Sequence, residues 1–125
     1  METRRVTDTN MLPKKHRLRK TKDFQAVFAK RKGIREDGLL LKLGAFGGPQ
    51  SRWGIVVSTK VSKKAVQRNR IRRLLSSAIQ LELEKIQTGV DLVLVVLPGF
   101  EATGFSDIQQ KVQRILHKAS LLKHD

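Results

Sequence analysis

The sequence predicts a small α/β domain with helices packed on a mixed sheet. Three observations predict it. Asp91-Leu92-Val93-Leu94-Val95-Val96-Leu97 is a β-branched run between Gly89 and Pro98, the pattern of a strand buried on both faces. The segment from about Lys64 to Lys85 has a helical period: at ~100° per residue, Ile71, Leu74, Leu75, Ala78 and Ile79 share one face. Helix-like and strand-like segments alternate along the chain, as in layered α/β domains. A length of 125 residues fits one domain with one core.

Met1 to Asn10 is polar and aperiodic. Residues 1–11 are therefore expected to be a disordered tail and residues 12–122 a single domain. Met11-Leu12-Pro13 is expected to anchor the start of the fold. Thr21 fits an N-cap, Asp23 faces the dipole of the first turn, and Phe24, Val27 and Phe28 form an apolar stripe. Gly33 is expected to end that helix.

Leu39-Leu40-Leu41-Lys42-Leu43 reads as a strand, more buried than alternating. Gly44 to Ser51 is expected to form a hairpin loop, with Trp53-Gly54-Ile55-Val56-Val57-Ser58 as the returning strand. Thr88-Gly89 closes the long helix that follows. Ser106, with Gln109 three residues on, fits a capping box opening a last helix. Its apolar face is Ile108, Val112, Ile115, Leu116, Ala119 and Leu122.

The net charge is +15 and the pI near 11.0. Such a balance implies a polyanionic partner, either nucleic acid or an acidic membrane surface. Lys14 to Lys32 and Lys60 to Arg73 carry sixteen of the 26 basic residues, with Asp23 as their only acid. Arg68-Asn69-Arg70-Ile71-Arg72-Arg73 puts four arginines in six positions. Asn69, Arg70 and Arg73 point away from the helix's apolar face, and Arg68 and Arg72 lie toward its border. Guanidinium groups bind phosphates bidentately and stack on bases, so this face suits structured nucleic acid. Lys60, Lys63 and Lys64 extend the field as phosphate contacts.

Catalytic signatures are missing. The chain has no cysteine, which excludes disulfides and thiolate metal sites. His16, His117 and His124 lack metal-ligand spacing and read as surface residues. No phosphate loop, nucleophile elbow or dinucleotide fingerprint is present, and no carboxylate pair stands out. Gly44-Ala45-Phe46-Gly47 matches a bare GxxG clamp, but in a hairpin rather than between helices. Met1 to Leu12 lacks an apolar signal region, and Leu92 to Leu97 is too short to span a bilayer. A soluble, cytoplasmic protein is expected, with no catalytic residue and no metal ligand of its own.

Phe24 and Phe28 sit one turn apart among Lys20, Lys22, Lys30 and Arg31. Aromatics in a basic field can stack on unpaired bases, each worth ~1–3 kcal/mol. Spacing alone favours a core role for both. Trp53 and Ser58 bracket a strand, and either could face a groove or the core.

With these residues in place, the chain resembles the protein subunit of bacterial ribonuclease P. The likeness runs through His16-Arg17-Leu18-Arg19-Lys20, Asp23-Phe24-Gln25-Ala26-Val27-Phe28, Gly54-Ile55-Val56-Val57-Ser58-Thr59-Lys60, the Arg68–Arg73 motif and the strand and helix from Asp91 to Leu122. The resemblance implies a two-layer α/β (α+β) sandwich, ribosomal protein S5 domain 2-like, in the order α-β-β-β-α-β-α. It also implies a left-handed βαβ crossover, where spacing alone suggests the common right-handed one. The implied function is a subunit of an endoribonuclease that removes the 5′ leader of precursor tRNA. The catalytic RNA carries the chemistry, and the RNA-containing holoenzyme requires Mg2+. The implied RNA-binding residues are Arg68, Asn69, Arg70, Arg72, Arg73, Lys60, Lys63, Lys64, Arg17 and Arg19. The implied leader cleft uses Phe24, Phe28, Ser58, Arg68 and Asn69. The implied partners are catalytic RNA, one protein per RNA, and precursor tRNA.

The chain departs from the family pattern in three places. Ser76 stands where many members have another arginine. The turn over Val61 to Val66 is about one residue longer than the common form. The first long strand offers Leu41, Lys42 and Leu43 where an aromatic often faces the leader. A ribosomal protein on a similar fold is the main competing reading. A peripheral membrane binder fits less well, because the basic helix uses its apolar side for a core.

Overall fold

The computed structural model describes residues 16–18, 21–28, 33–45, 51–86, 89–101 and 103–119. Helix α1 is Thr21–Phe28, followed by strands β1 (Ile34–Glu36), β2 (Leu39–Ala45) and β3 (Arg52–Val57). Helix α2 is Ala65–Glu82, extended by a 3-10 turn at Leu83–Lys85. Strand β4 (Val90–Val96) and helix α3 (Phe105–Lys118) complete the order α-β-β-β-α-β-α.

The four strands form one sheet in the order β1-β2-β4-β3. Strand β4 pairs antiparallel with β2 and parallel with β3, so α2 lies in a parallel crossover. Its central place explains its composition. Leu92, Leu94 and Val96 are buried against α2 and α3, while Val93 is buried on the face that α1 covers.

The expected hairpin between the two long strands does not form, because β4 lies between them. A strand apolar on both faces buries the most surface in the middle of a sheet. The hairpin in this part of the chain is instead β1–β2, where Glu36 pairs with Leu39. Its two-residue loop is Asp37-Gly38, with φ of 55° and 81°. That geometry matches the strand twist and favours Asp-Gly. Strand β2 alternates more than expected: Leu39 and Leu41 are fully buried, while Leu40 and Lys42 are half-buried.

One helix boundary brings a further correction. Helix α1 is described as far as Phe28, and the stretch between it and Gly33 falls outside the described residues. The capping box at Ser106 is not made, because Gly104 takes the N-cap position and leaves Ser106 inside the first turn. There the Thr103 hydroxyl donates to the Asp107 carboxylate at 3.0 Å. Of the expected apolar face, Ile108, Val112, Ile115 and Leu116 are buried and Ala119 packs against the core. Met11 to Pro13, the N-terminal tail and Leu122 fall outside the described residues.

Candidate nucleic-acid interface

The burial of α2 follows its period. Ile71, Leu75, Ala78 and Ile79 are buried, and Leu74 packs against them. Asn69, Arg70 and Arg73 are exposed, and Arg68 and Arg72 are half-buried at the border. Burying the apolar side fixes the helix backbone, so the arginine side is directed outward. Arg72 donates to the Asn69 side-chain oxygen at 2.6 Å, one turn back. The Arg68 guanidinium donates to the Ser62 carbonyl oxygen at 3.0 Å, tying the helix to the turn before it.

That turn carries Lys60, Lys63 and Lys64, all exposed. Its shape comes from local bonds. The Val61 amide donates to the Ser58 carbonyl at 3.0 Å, and the Ser58 and Ser62 hydroxyls accept from the amides of Lys60 and Lys64 at 3.2 Å. The N-cap, Lys64, has no side-chain cap bond, and no acid lies in the first turn. The positive end of the helix dipole therefore adds to the lysine charge and favours an anion. Val66, 79% exposed, places an apolar surface inside this cationic field, which its sequence context alone did not single out.

The acids lie elsewhere in the described structure. Asp37 takes Arg114 at 2.7 Å, Glu36 takes Lys118 at 3.0 Å, and Asp107 takes Lys111 at 3.1 Å. These pairs gather on α3 and the β1–β2 turn. The hydrogen bond with Asp37 raises the Arg114 pKa, and bonds from Lys111 and then Thr103 lower that of Asp107.

The sheet face covered by α1 is a second surface. Register places three rows across β2, β4 and β3: Gly44, Asp91, Arg52; then Lys42, Val93, Gly54; then Leu40, Val95, Val56. Helix α1 sits on the first two. Val27 approaches Gly44, where an added Cβ would lie 3.1 Å from Val27 Cγ2. The tip of the Phe24 ring fills the space a side chain at Gly54 would need. The third row stays half-buried beside α1, with Val56 and Val95 packed against its cluster. Ser58 follows Val56 by two residues beyond the end of β3 and is exposed.

Phe24 is half-buried: part of the ring packs on the sheet and part faces outward. Trp53 faces the opposite way, into the main core, at 3% exposure. Arg17 lies in a bridge with Trp53, and the Leu18 amide donates to the Trp53 carbonyl at 2.7 Å. His16, partly exposed, donates from Nδ1 to the Ser51 carbonyl at 2.8 Å, and His117 is exposed. Arg19, His124 and the Phe28 side chain lie outside the described residues.

Sequence reasoning did not identify Leu40, Val56, Val95 or Arg52 as part of this surface. No local signal could bring Leu40, Val95 and Val56 into one row or set Arg52 in the row of Gly44 and Asp91, because both rows exist only through β4. Arg52 donates from Nε and Nη2 to the two carboxylate oxygens of Asp91, both at 2.7 Å. Its Nη1 lies 3.5 Å from Asp23 Oδ2 on α1. The hydrogen bond to Asp91 raises the Arg52 pKa and outweighs the opposing effect of burial.

Among the described residues no group of His, Cys, Asp or Glu could hold a metal ion, and no helix is long and apolar enough to cross a membrane. A family model described as Ribonuclease P matches residues 12–120. A Synechocystis protein named ribonuclease P protein component is 36% identical over 114 residues, covering 90% of this chain and 92% of that one. The solved RNase P protein from Thermotoga maritima is similar in fold, with a TM-score of 0.72 and 27% identity over 82% of this chain and 96% of that one. A Staphylococcus aureus RNase P protein shares the fold with a TM-score of 0.77 at 22% identity, covering 86% of this chain and 98% of that one.

Proposed function

This chain belongs to the ribonuclease P protein family, and we propose that it binds the catalytic RNA of that enzyme and the 5′ leader of precursor tRNA. In this reading it assists the endonucleolytic removal of the leader in the cytoplasm, one protein per catalytic RNA. The observation that carries it is the division of α2, with Ile71, Leu75, Ala78 and Ile79 buried and Asn69, Arg70 and Arg73 exposed. A rigid cationic face of this kind suits the closely spaced phosphates of a folded RNA.

Arg68, Asn69, Arg70, Arg72 and Arg73 are assigned to RNA, with Lys60, Lys63, Lys64, Arg17 and Arg19 as further contacts. The leader is assigned to the cleft beside α1, with Phe24, Phe28, Ser58, Arg68 and Asn69. Support for the cleft comes from the half-buried Phe24 and the partly open row of Leu40, Val95 and Val56 beside it. Apolar and aromatic surface of this kind suits unpaired bases, which a single-stranded leader offers. Chemistry is assigned to the RNA, with Mg2+ bound in the RNA-containing holoenzyme and none bound by the protein.

Reconstitution tests the reading. Precursor tRNA is mixed with a ribonuclease P RNA at low Mg2+, with and without this protein. Faster release of the 5′ leader is expected when the protein is present. Tight RNA binding without any stimulation would favour an RNA-binding module that has no enzyme partner.

A further inference from the structure

Helix α1 has eight residues. A helix this short is marginal on its own, so tertiary contacts must fix its position. Val27 against Gly44 and Phe24 against Gly54 set its distance from the sheet. Apolar contacts are non-directional, so these two leave sliding and rotation weakly fixed. Between described residues, an ion pair of Asp23 with Arg52, at 3.5 Å, adds a charged contact at a defined point on the sheet.

The Arg52 fork has a distinct use for each nitrogen. Nε and Nη2 hold both oxygens of Asp91, its neighbour across the parallel strand pair, and Nη1 faces Asp23. Asp91 is 5% exposed, so its carboxylate depends on Arg52 as partner, and the paired fork orients the third nitrogen. We infer that Arg52 and Asp91 form a clamp that positions α1 through Asp23 and thereby sets the opening between Phe24 and the third row. Arg52, Asp91 and Asp23 are positioning residues that do not touch the leader; the inference rests on the leader-cleft reading.

The test uses the reconstituted holoenzyme and three variants. Asp23→Asn removes the α1 end of the network and leaves the Arg52–Asp91 pair. Arg52→Lys keeps the charge and the sequence of α1, but one ammonium cannot replace the three-way fork. Asp23→Glu is the conservative control. Binding of leader-bearing precursor tRNA is compared with mature tRNA, and amide hydrogen exchange is followed in the free protein.

Asp23→Asn and Arg52→Lys are each expected to weaken leader-bearing substrate roughly two- to fivefold, the range for a partly exposed ion pair. Affinity for mature tRNA and the cleavage rate at saturating substrate should match the parent. Asp23→Glu should restore most of the loss. Amides of α1 should exchange faster in the first two variants, while those of β4 stay at the parental rate in Asp23→Asn, which leaves the Arg52–Asp91 pair in place. A purely structural role would instead lower affinity for both tRNAs together. Parental leader affinity in both variants, alongside a loss in Phe24→Ala, overturns the clamp and leaves the cleft standing. If the parent itself does not distinguish leader-bearing from mature tRNA, the cleft reading fails; the exchange rates then decide the clamp, and unchanged α1 exchange overturns it.

Discussion

The tip of the Phe24 ring occupies the space that a side chain on Gly54 would fill. Position 54 lies opposite Val93 on β4, in the row beneath α1. The ring can approach the backbone there only because glycine has no Cβ. Gly54→Ala should therefore displace Phe24 and cost about 1–3 kcal/mol through overpacking. A thermal melt measures the cost. In holoenzyme assays the same variant should lose affinity for leader-bearing tRNA more than for mature tRNA. A variant that melts and binds as the parent does would show that α1 adjusts freely.

The two surfaces should separate in mutagenesis. Arg70→Ala and Arg73→Ala should weaken binding to the catalytic RNA, since both side chains are exposed on α2. Phe24→Ala and Phe28→Ala should weaken substrates with long 5′ leaders and spare mature tRNA. Each lost stack is worth ~1–3 kcal/mol. Phe24 also packs on the Leu18, Val27 and Val93 cluster, so melts must accompany the binding data. If both phenylalanine variants bind leader-bearing and leaderless tRNA with unchanged affinity, the leader lies elsewhere.

Binding should be strongly salt-dependent. If the basic segments make ~6–10 phosphate contacts, affinity falls by ~10³–10⁵ between 50 and 200 mM salt. Titration of labelled RNA across that range measures the slope. A nearly flat curve would remove the electrostatic account.

The protein alone should not cleave RNA, because its sequence presents no nucleophile, acid/base pair or metal cluster. Purified protein, treated with a nuclease that destroys any carried RNA and then freed of it, is incubated with precursor tRNA. Cleavage surviving that treatment would overturn the assignment of chemistry to the RNA.

Acid should weaken one local feature of α3. Lys111 and Thr103 hold the Asp107 carboxyl below its ordinary value of 3.8. A lowered carboxylate pKa contributes stability above the unfolded-state value, and that contribution is lost as pH falls through the folded-state value. Asp107→Asn should therefore melt below the parent at neutral pH, and the gap should close below about pH 3.8. A gap independent of pH would mean that the side chain acts by packing.

The sequence by itself determined the two helices that follow the strands of the β2–β3 region, the doubly buried strand β4 and the outward arginine face of α2. These are local properties: a period of 3.6 residues, a β-branched run and a charge pattern each survive whatever the chain packs against. The Asp37-Gly38 turn carries a hairpin signal that the sequence reading passed over, because the strand before it is only three residues long and carries little pattern. Tertiary structure alone decided that β4 separates β2 from β3. Pairing partners some fifty residues apart are chosen by total burial, which no local window contains. That choice assembled the row of Leu40, Val95 and Val56, and it brought Asp91 opposite Arg52. Trp53 points into the core while Phe24 of α1 docks over Gly54 on the other face, because the successive β3 residues 53 and 54 must face opposite sides of the sheet.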